Sequence, residues 1–145
     1  MFDTILVCTD GSEHAMRAAR YAADLAQKYG ASVIAINVSQ ASLPIIDPSA
    51  LIDGVVGESY REEVVVAQER IRDGLCELFK SFDVPFRFRG EDGTPVSTIV
   101  AVAEQERVNL IVLGSRGLGG FRSFFVGSVS DGVLHHAHCP VLVVR

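Results

Sequence analysis

The feature that most constrains the fold is a regular alternation of short apolar runs with longer segments of helical periodicity. Most of the runs are rich in β-branched residues and bounded by turn-forming residues, which is typical of buried strands. Strands alternating with helices predict an α/β fold with a mostly parallel sheet that carries helices on both faces. The predicted strands cover residues 4–9, 31–38, 84–89, 109–113 and 140–144, and the predicted helices cover 13–29, 58–81, a segment from 95, and 128–136.

Local signals predict where several of these elements begin and end. Ser12 is the expected N-cap of the first helix and Gly30 its C-cap. The third run contains Pro85, which favours a strand at the edge of the sheet. Two stretches are predicted to be irregular, a long loop over residues 39–57 and a turn at residues 91–93.

A glycine-rich segment follows the fourth apolar run. Gly114 and Gly117 are followed, after nine residues, by Gly127 and Ser128 at the start of a predicted helix. Glycines at a strand exit allow close approach to a ligand, and a Gly-Ser pair opening a helix offers unpaired N–H groups to phosphate. The segment therefore predicts a nucleotide phosphate cradle, and the alternative is a purely structural glycine loop. Because no Gly-Lys-Ser/Thr ends it, it is not a Walker A motif.

Charged residues near this segment have two interpretations each. Arg116 and Arg122 either contact phosphate oxygens or are solvated loop residues. Asp10, directly after the first strand, suits either a ligand hydroxyl or metal-bound water, or a turn that leads into the helix. Ser128 and Asp131 have the spacing of a capping box, which would direct the Asp131 carboxylate to the backbone.

The sequence contains few groups that indicate catalysis. No serine lies in a GxSxG elbow, and Asp10 is the only carboxylate expected near the cradle as a general base. We therefore expect binding without fast turnover and assign no catalytic residue. His135, His136 and His138 allow a metal site, but their position near a helix C-terminus favours an interaction with the helix dipole.

Composition limits the class of protein further. The 145 residues are 48% hydrophobic and 21% charged, which suits one soluble globular domain. A net charge of −5 argues against nucleic acid as the main partner. We expect no membrane span, no signal peptide and a cytoplasmic location, because no apolar run approaches the roughly 20 residues of a span and the start of the chain lacks a basic region. The three scattered cysteines are expected to be free thiols.

Together these residues resemble the universal stress protein family over nearly the whole chain. The family signature G-x-x-G-x9-G-[ST] is met from Gly114 to Ser128, and ILVCTDGSEHA is similar to the family's opening block with its acid at Asp10. Asn109 stands where the family often has aspartate, a mild departure at a strand start. Residues 93–95, 109–117 and 138–145 resemble the remaining blocks.

The resemblance implies the ATP-binding subgroup of the family, the adenine nucleotide α-hydrolase-like architecture in three layers, and the strand order 3-2-1-4-5. It implies that adenine contacts the backbone at Val38 and that Cys8, Thr9 and Asp10 line the base and ribose. Mg²⁺ or Mn²⁺ is expected with the phosphates, and dimers are expected through the apolar strand from Pro140 to Val144. The expected phosphate-binding residues are Gly114, Ser115, Arg116, Gly117, Gly119, Gly120, Gly127, Ser128 and Val129.

Several functions remain open on the sequence. The first is a switch in which ATP orders the glycine-rich loop and the 39–57 segment and so alters a surface that partners contact. The second is a slow metal-dependent ATPase using Asp10, and the third is a nucleotide-independent dimerisation or adaptor module. Cyclic AMP in place of ATP is a variant of the first, because the expected adenine contacts are largely to backbone.

Overall fold

The computed structural model describes residues 1–40, 54–115 and 127–145, of which 54–60 are described as backbone only. Within these ranges the chain alternates strictly between strands and helices, as the hydrophobic pattern predicts. The elements are β1 (Thr4–Cys8), α1 (Glu13–Tyr29), β2 (Ser32–Ser39), α2 (Gly54–Ser81), β3 (Phe86–Asp92), α3 (Pro95–Gln105), β4 (Leu110–Gly114), α4 (Ser128–His136) and β5 (Val141–Val144).

The strands form one five-stranded sheet in the order β3-β2-β1-β4-β5, and every pairing is parallel. The predicted α/β class and strand order are therefore confirmed. β1 lies at the centre, where Val7 pairs with Ala35 of β2 and with Val112 of β4. Since the chain builds outward from β1 first on one side and then on the other, the strand order reverses between β1 and β4.

Alternate residues of each strand face opposite helical layers, which gives two hydrophobic cores. The core on the first face packs the sheet against α1 and α2, and the core on the second face packs it against α3 and α4. The fully buried side chains of the first core include Ile5, Val7, Val33, Leu75, Phe79 and the alanines of α1, and those of the second include Leu6, Ile34, Ile36, Ile111 and Val133.

Helix α1 follows its sequence signals closely. The Ser12 hydroxyl accepts a hydrogen bond from the N–H of Ala15 at 3.2 Å, and Gly30 ends the helix in the left-handed region at φ 67°. Both predicted caps are confirmed. The small side chains of its buried face let α1 lie close to the sheet, and these are Ala15, Ala18, Ala19, Ala22, Ala23 and Ala26.

Two predicted irregular stretches are partly wrong. Helix α2 begins at Gly54, so the last four residues of the predicted 39–57 loop are helical, and residues 41–53 lie outside the described part of the chain. β3 continues to Asp92, because Glu91 and Asp92 pair with Val38 and Ser39 of β2. Pairing with a neighbouring strand thus overrides the turn preference of these acidic residues, and Gly93 alone departs from the strand, at φ 151°. Pro85 precedes β3 rather than interrupting it, and β3 is an edge strand as predicted.

None of the helices in the described ranges is both long enough and apolar enough to cross a membrane.

Candidate functional site

The candidate site lies where β1, β2 and β4 end, at the carboxyl edge of the sheet. Thr9 and Asp10 directly follow β1, and Val38 lies near the end of β2. Gly114 ends β4, and Ser115 follows it. Because these three strands are parallel neighbours, the topology brings these residues to one edge, at the point where strand order reverses. Open α/β sheets bind ligands at this position.

The glycine-rich segment leaves and returns to the same place at this edge. The carbonyl of Ser115 accepts a hydrogen bond from the N–H of Gly127 at 2.7 Å, and the N–H of Ser115 donates to the carbonyl of Val144 at 2.7 Å. The buried hydroxyl of Ser130 donates to the carbonyl of Gly114 at 3.1 Å. The bonds of Gly127 and Ser130 join the start of α4 to the end of β4, and the bond to Val144 joins the end of β4 to β5. Arg116, Gly117, Gly119, Gly120 and Arg122, which were predicted to contact phosphate or to be solvated, lie outside the described residues.

The N-terminus of α4 has no side-chain cap among the described residues. Its N-cap is Gly127, with φ −61° and ψ 155°, and Ser128 is the first helical residue. The predicted capping box of Ser128 and Asp131 is therefore wrong, because Ser128 lies one position too late to cap the helix. Asp131 instead donates its N–H to the Gly127 carbonyl, and its carboxylate lies 3.7 Å from His135 Nδ1. The first N–H groups of a helix have no intrahelical partner, so this end offers donors and a positive dipole to an anion.

An apolar wall lies beside this helix end on the α3/α4 face. Cys8, Val38 and Val129 are partly buried and pack against the second core, so three predicted base-side and phosphate-side residues share one face. Burial raises the pKa of the Cys8 thiol to about 12, so the side chain is neutral at physiological pH. The wall is thus uncharged and suits a flat apolar group.

Asp10 forms a turn into α1. One of its carboxylate oxygens accepts a hydrogen bond from the N–H of Ser12 at 2.9 Å, and the Thr9 hydroxyl accepts one from the N–H of Gly11 at 3.3 Å. Gly11 lies in the left-handed region at φ 81°, which only a glycine adopts without strain. The turn interpretation of Asp10 is therefore correct, and its contact with a ligand stays a prediction.

Gly114 is required for helix packing, whatever it binds. A Cβ atom at this position would lie 2.9 Å from the backbone carbonyl carbon of His14 in the first turn of α1. The glycine therefore allows α1 to approach the end of β4. As a result, replacing Gly114 would disturb the fold whether or not a nucleotide binds, and it cannot distinguish a phosphate cradle from a structural loop.

The histidines of α4 have a structural role. The Nδ1 atoms of His135 and His136 lie 2.8 Å from the carbonyls of Asp131 and Gly132, one turn earlier in the helix. In the described ranges, no group of three or more His, Cys, Asp or Glu side chains is arranged to hold a metal ion. Two further side chains form hydrogen bonds at this edge and were not predicted to do so, Ser130 to the Gly114 carbonyl and Asn37 to the Thr9 carbonyl. A lone amide in the apolar β2 run is a sequence signal for Asn37.

Comparison with known proteins assigns the chain to a family. The profile described as "Universal stress protein family" matches residues 1–145. A universal stress protein of Thermus aquaticus is 38% identical over 151 aligned residues, which cover 100% of both chains. The chain belongs to the universal stress protein family. The suggested resemblance is thereby confirmed at the level of the family.

Solved structures of the family share the fold. The universal stress protein UspA from Lactobacillus plantarum superposes with a TM-score of 0.85 at 30% identity, over 99% of this chain and 98% of that one. Two more distant structures carry bound nucleotides. One is a universal stress protein in complex with cAMP, at a TM-score of 0.68 and 24% identity, covering 99% of this chain and 97% of that one. The other is an Archaeoglobus fulgidus protein in complex with dAMP, at 0.65 and 19%, covering 100% and 98%.

Proposed function

We propose that this chain is a cytoplasmic, single-domain, ATP-binding universal stress protein that acts as a nucleotide-dependent binding switch in the stress response. The observation that carries the proposal is the uncapped N-terminus of α4 at Gly127, joined to the end of β4 and adjacent to the neutral wall of Cys8, Val38 and Val129. Such a combination offers donors to phosphate and an apolar surface to a base.

The residues present fit an adenine nucleotide. Val38 and Cys8 would contact the base, with Thr9 and Asp10 on the ribose side, and the N–H groups of Ser128 and Val129 would meet the phosphates. Two structural relatives were solved with cAMP and dAMP, both adenine nucleotides, which supports this class of ligand. Mg²⁺ or Mn²⁺ would enter with the phosphates, since such ions prefer oxygen ligands and bind one or two carboxylates together with phosphate. Asp10, which directly follows β1, is a carboxylate at this edge.

The geometry favours binding of the nucleotide without hydrolysis. Phosphoryl transfer requires an oriented nucleophile and strong neutralisation of charge at the γ-phosphate. Asp10 has one oxygen bonded to the backbone N–H of Ser12, where it shapes the turn. In this proposal the bound nucleotide changes the surface around the glycine-rich segment, and a partner recognises that surface.

The direct test identifies the ligand and measures its affinity. Ligand released by denaturing the purified protein is identified by mass spectrometry, and ATP with Mg²⁺ is then titrated calorimetrically against cAMP. The proposal expects released adenine nucleotide and tighter binding of ATP. Tighter binding of cAMP would make the chain a cyclic-nucleotide binder. Absence of binding at millimolar nucleotide would overturn the proposal in favour of a nucleotide-independent adaptor.

The ATPase alternative has its own test at Asp10. Asn keeps the acceptor oxygen that the turn needs, so Asp10→Asn should preserve the fold. If wild-type protein releases ADP and Asp10→Asn binds ATP without releasing ADP, the chain is a slow enzyme. Equal background release from both proteins supports the switch.

We also propose a homodimer through β5. This edge strand pairs with β4 on one side, through the carbonyls of Pro140 and Val144. Alternation along the strand directs the N–H and C=O groups of Val141 and Val143 to the open side, where a second copy would pair. Light scattering should give a dimer for wild-type protein and a folded monomer for Val143→Pro, which removes one outward donor. A wild-type monomer at micromolar concentration would contradict this.

A further inference from the structure

Two amide side chains, joined by a hydrogen bond, connect α2 to the turn after β1. Gln68 of α2 donates from Nε2 to Asn37 Oδ1 at 3.2 Å, and Asn37 of β2 donates from Nδ2 to the carbonyl of Thr9 at 2.8 Å. Both side chains are partly buried. The two bonds run across the α1/α2 face of the sheet, opposite the face that carries Val38.

Gly90, which has no side chain, leaves room for the Gln68 side chain on this face of the sheet. Gln68 passes over Gly90 on the edge strand β3, where a Cβ atom would lie 2.5 Å from the Gln68 Oε1 and 2.9 Å from Nε2. Gly90 has no positive φ, so its backbone conformation is open to other residues. The absence of a side chain at Gly90 therefore serves the passage of Gln68 rather than the shape of the strand.

The carbonyl that accepts the hydrogen bond from Asn37 belongs to the peptide that joins Thr9 to Asp10. Paired residues of β1 and β2 end at Cys8 and Ile36, and the last backbone bond runs from the Thr9 N–H to the Ile36 carbonyl at 2.9 Å. Beyond that point the Asn37 amide replaces the next bond of the ladder. It orients the peptide that leads into Asp10.

We infer that Asn37 and Gln68 are positioning residues. From the α1/α2 face of the sheet they fix the orientation of the Thr9–Asp10 peptide, so that α2 affects the affinity for the nucleotide. The inference rests on the proposed function, because it assumes that this peptide borders the ligand. It assigns α2 a role in binding through a helix that does not itself contribute a predicted contact.

Two variants break the connection by different means. Gln68→Met keeps the length of the side chain but removes its donor, while Gly90→Ala keeps the donor and displaces the flexible amide end. Each should weaken ATP binding about fivefold, the effect of losing one hydrogen bond. The double variant should be no weaker than either single one, because both remove the same connection.

Gln27→Met is the matched control. Gln27 also donates one hydrogen bond from its side-chain Nε2, in this case to the backbone carbonyl of Phe82 at 2.7 Å, far from the Thr9 turn. Because its hydrogen bond is exposed, Gln27→Met should lower thermal stability by no more than Gln68→Met does, and it should leave ATP affinity unchanged. A merely structural role for Gln68 would give the same result for both variants.

The outcomes separate this inference from the proposed function. If wild-type protein binds no nucleotide, the proposed function fails. If wild-type protein binds ATP and Gln68→Met and Gly90→Ala bind it equally well, the positioning role is overturned. Losses in the two single variants that add up in the double variant would also overturn it, since they would show separate effects.

Discussion

Helices α1 and α2 cover one face of the sheet with 17 and 28 residues, whereas α3 and α4 cover the other with 11 and 9. The long helices close the first face, where the alanines of α1 and Phe79 of α2 are buried. The short helices leave Cys8, Val38 and Val129 only partly buried at the carboxyl edge of the second face. Under the proposed function, the core of the first face supplies stability, the second face supplies the surface for the nucleotide, and the Gln68–Asn37 connection links the two.

The largest effect is expected from Phe79→Ala on the first face. Phe79 is fully buried and stacks on Phe86 with ring centroids 4.9 Å apart. Its truncation should lower the free energy of unfolding by about 3–5 kcal/mol, measured by denaturant titration. Affinity for ATP in the folded fraction should not change. A parallel loss of affinity would show that the core of the first face, and not only the Gln68–Asn37 connection, affects binding.

The next effect concerns Cys8 at the open edge of the second face. Burial raises its pKa from 9.0 to about 12, so above pH 9 the unfolded chain loses the proton that the folded chain keeps. The free energy of unfolding should therefore fall as pH rises from 9 toward 12, by at most about 1.4 kcal/mol per pH unit. The thermal unfolding temperature of Cys8→Ala should fall less steeply with pH over this range than that of wild type. Identical slopes would show that the folded state does not hold the Cys8 thiol in its neutral form.

A smaller effect is expected at Ser130, which ties α4 to β4. Ser130→Ala removes the buried bond to the Gly114 carbonyl and should cost about 1 kcal/mol of stability. Ser128→Ala is the matched control for stability, because Ser128 is exposed, and it should stay within about 0.5 kcal/mol of wild type. Equal stabilities of the two variants would show that the Ser130 hydrogen bond does not stabilise the fold.

The smallest effect should come from the ion pairs at the edge of the second face. Glu106, which follows α3, pairs with Arg87 and Arg89 of β3. These side chains are partly exposed, so Glu106→Gln should lower stability by less than about 1 kcal/mol, and less again in high salt. A larger loss that does not respond to salt would indicate that the edge strand depends on this network.

Much of the fold could be predicted because its signals are local. The alanine spacing and the caps at Ser12 and Gly30 define α1 without reference to the rest of the chain. The strand order came with the family resemblance, since periodicity does not specify which strands are neighbours. The length of β3 was missed because its last residues, Glu91 and Asp92, favour turns in isolation and become strand by pairing with β2.

The candidate site was predictable in part for the same reason. Gly127 and Ser128 are recognisable at a helix start, but which of them caps the helix depends on backbone angles. The connection from Gln68 through Asn37 to Thr9 joins residues that lie far apart in the chain. No local sequence pattern predicts such a contact. The need for a glycine at position 90 can be explained only once the structure shows that Gln68 of α2 lies over it.

The central claim is that the N-terminus of α4 is left uncapped for phosphate, and Gly127 tests it most directly. Its φ of −61° and ψ of 155° accommodate any residue, and Ser and Asp are both favourable helix caps. Calorimetric titration of ATP with Mg²⁺ into Gly127→Asp and Gly127→Ser, at matched thermal stability, separates capping from charge. We predict a loss of about fivefold for Gly127→Ser, whose hydroxyl would occupy an N–H group that phosphate needs. A larger loss, roughly tenfold or more, is expected for Gly127→Asp, whose carboxylate would also face the phosphates. Wild-type affinity in both variants would contradict the claim.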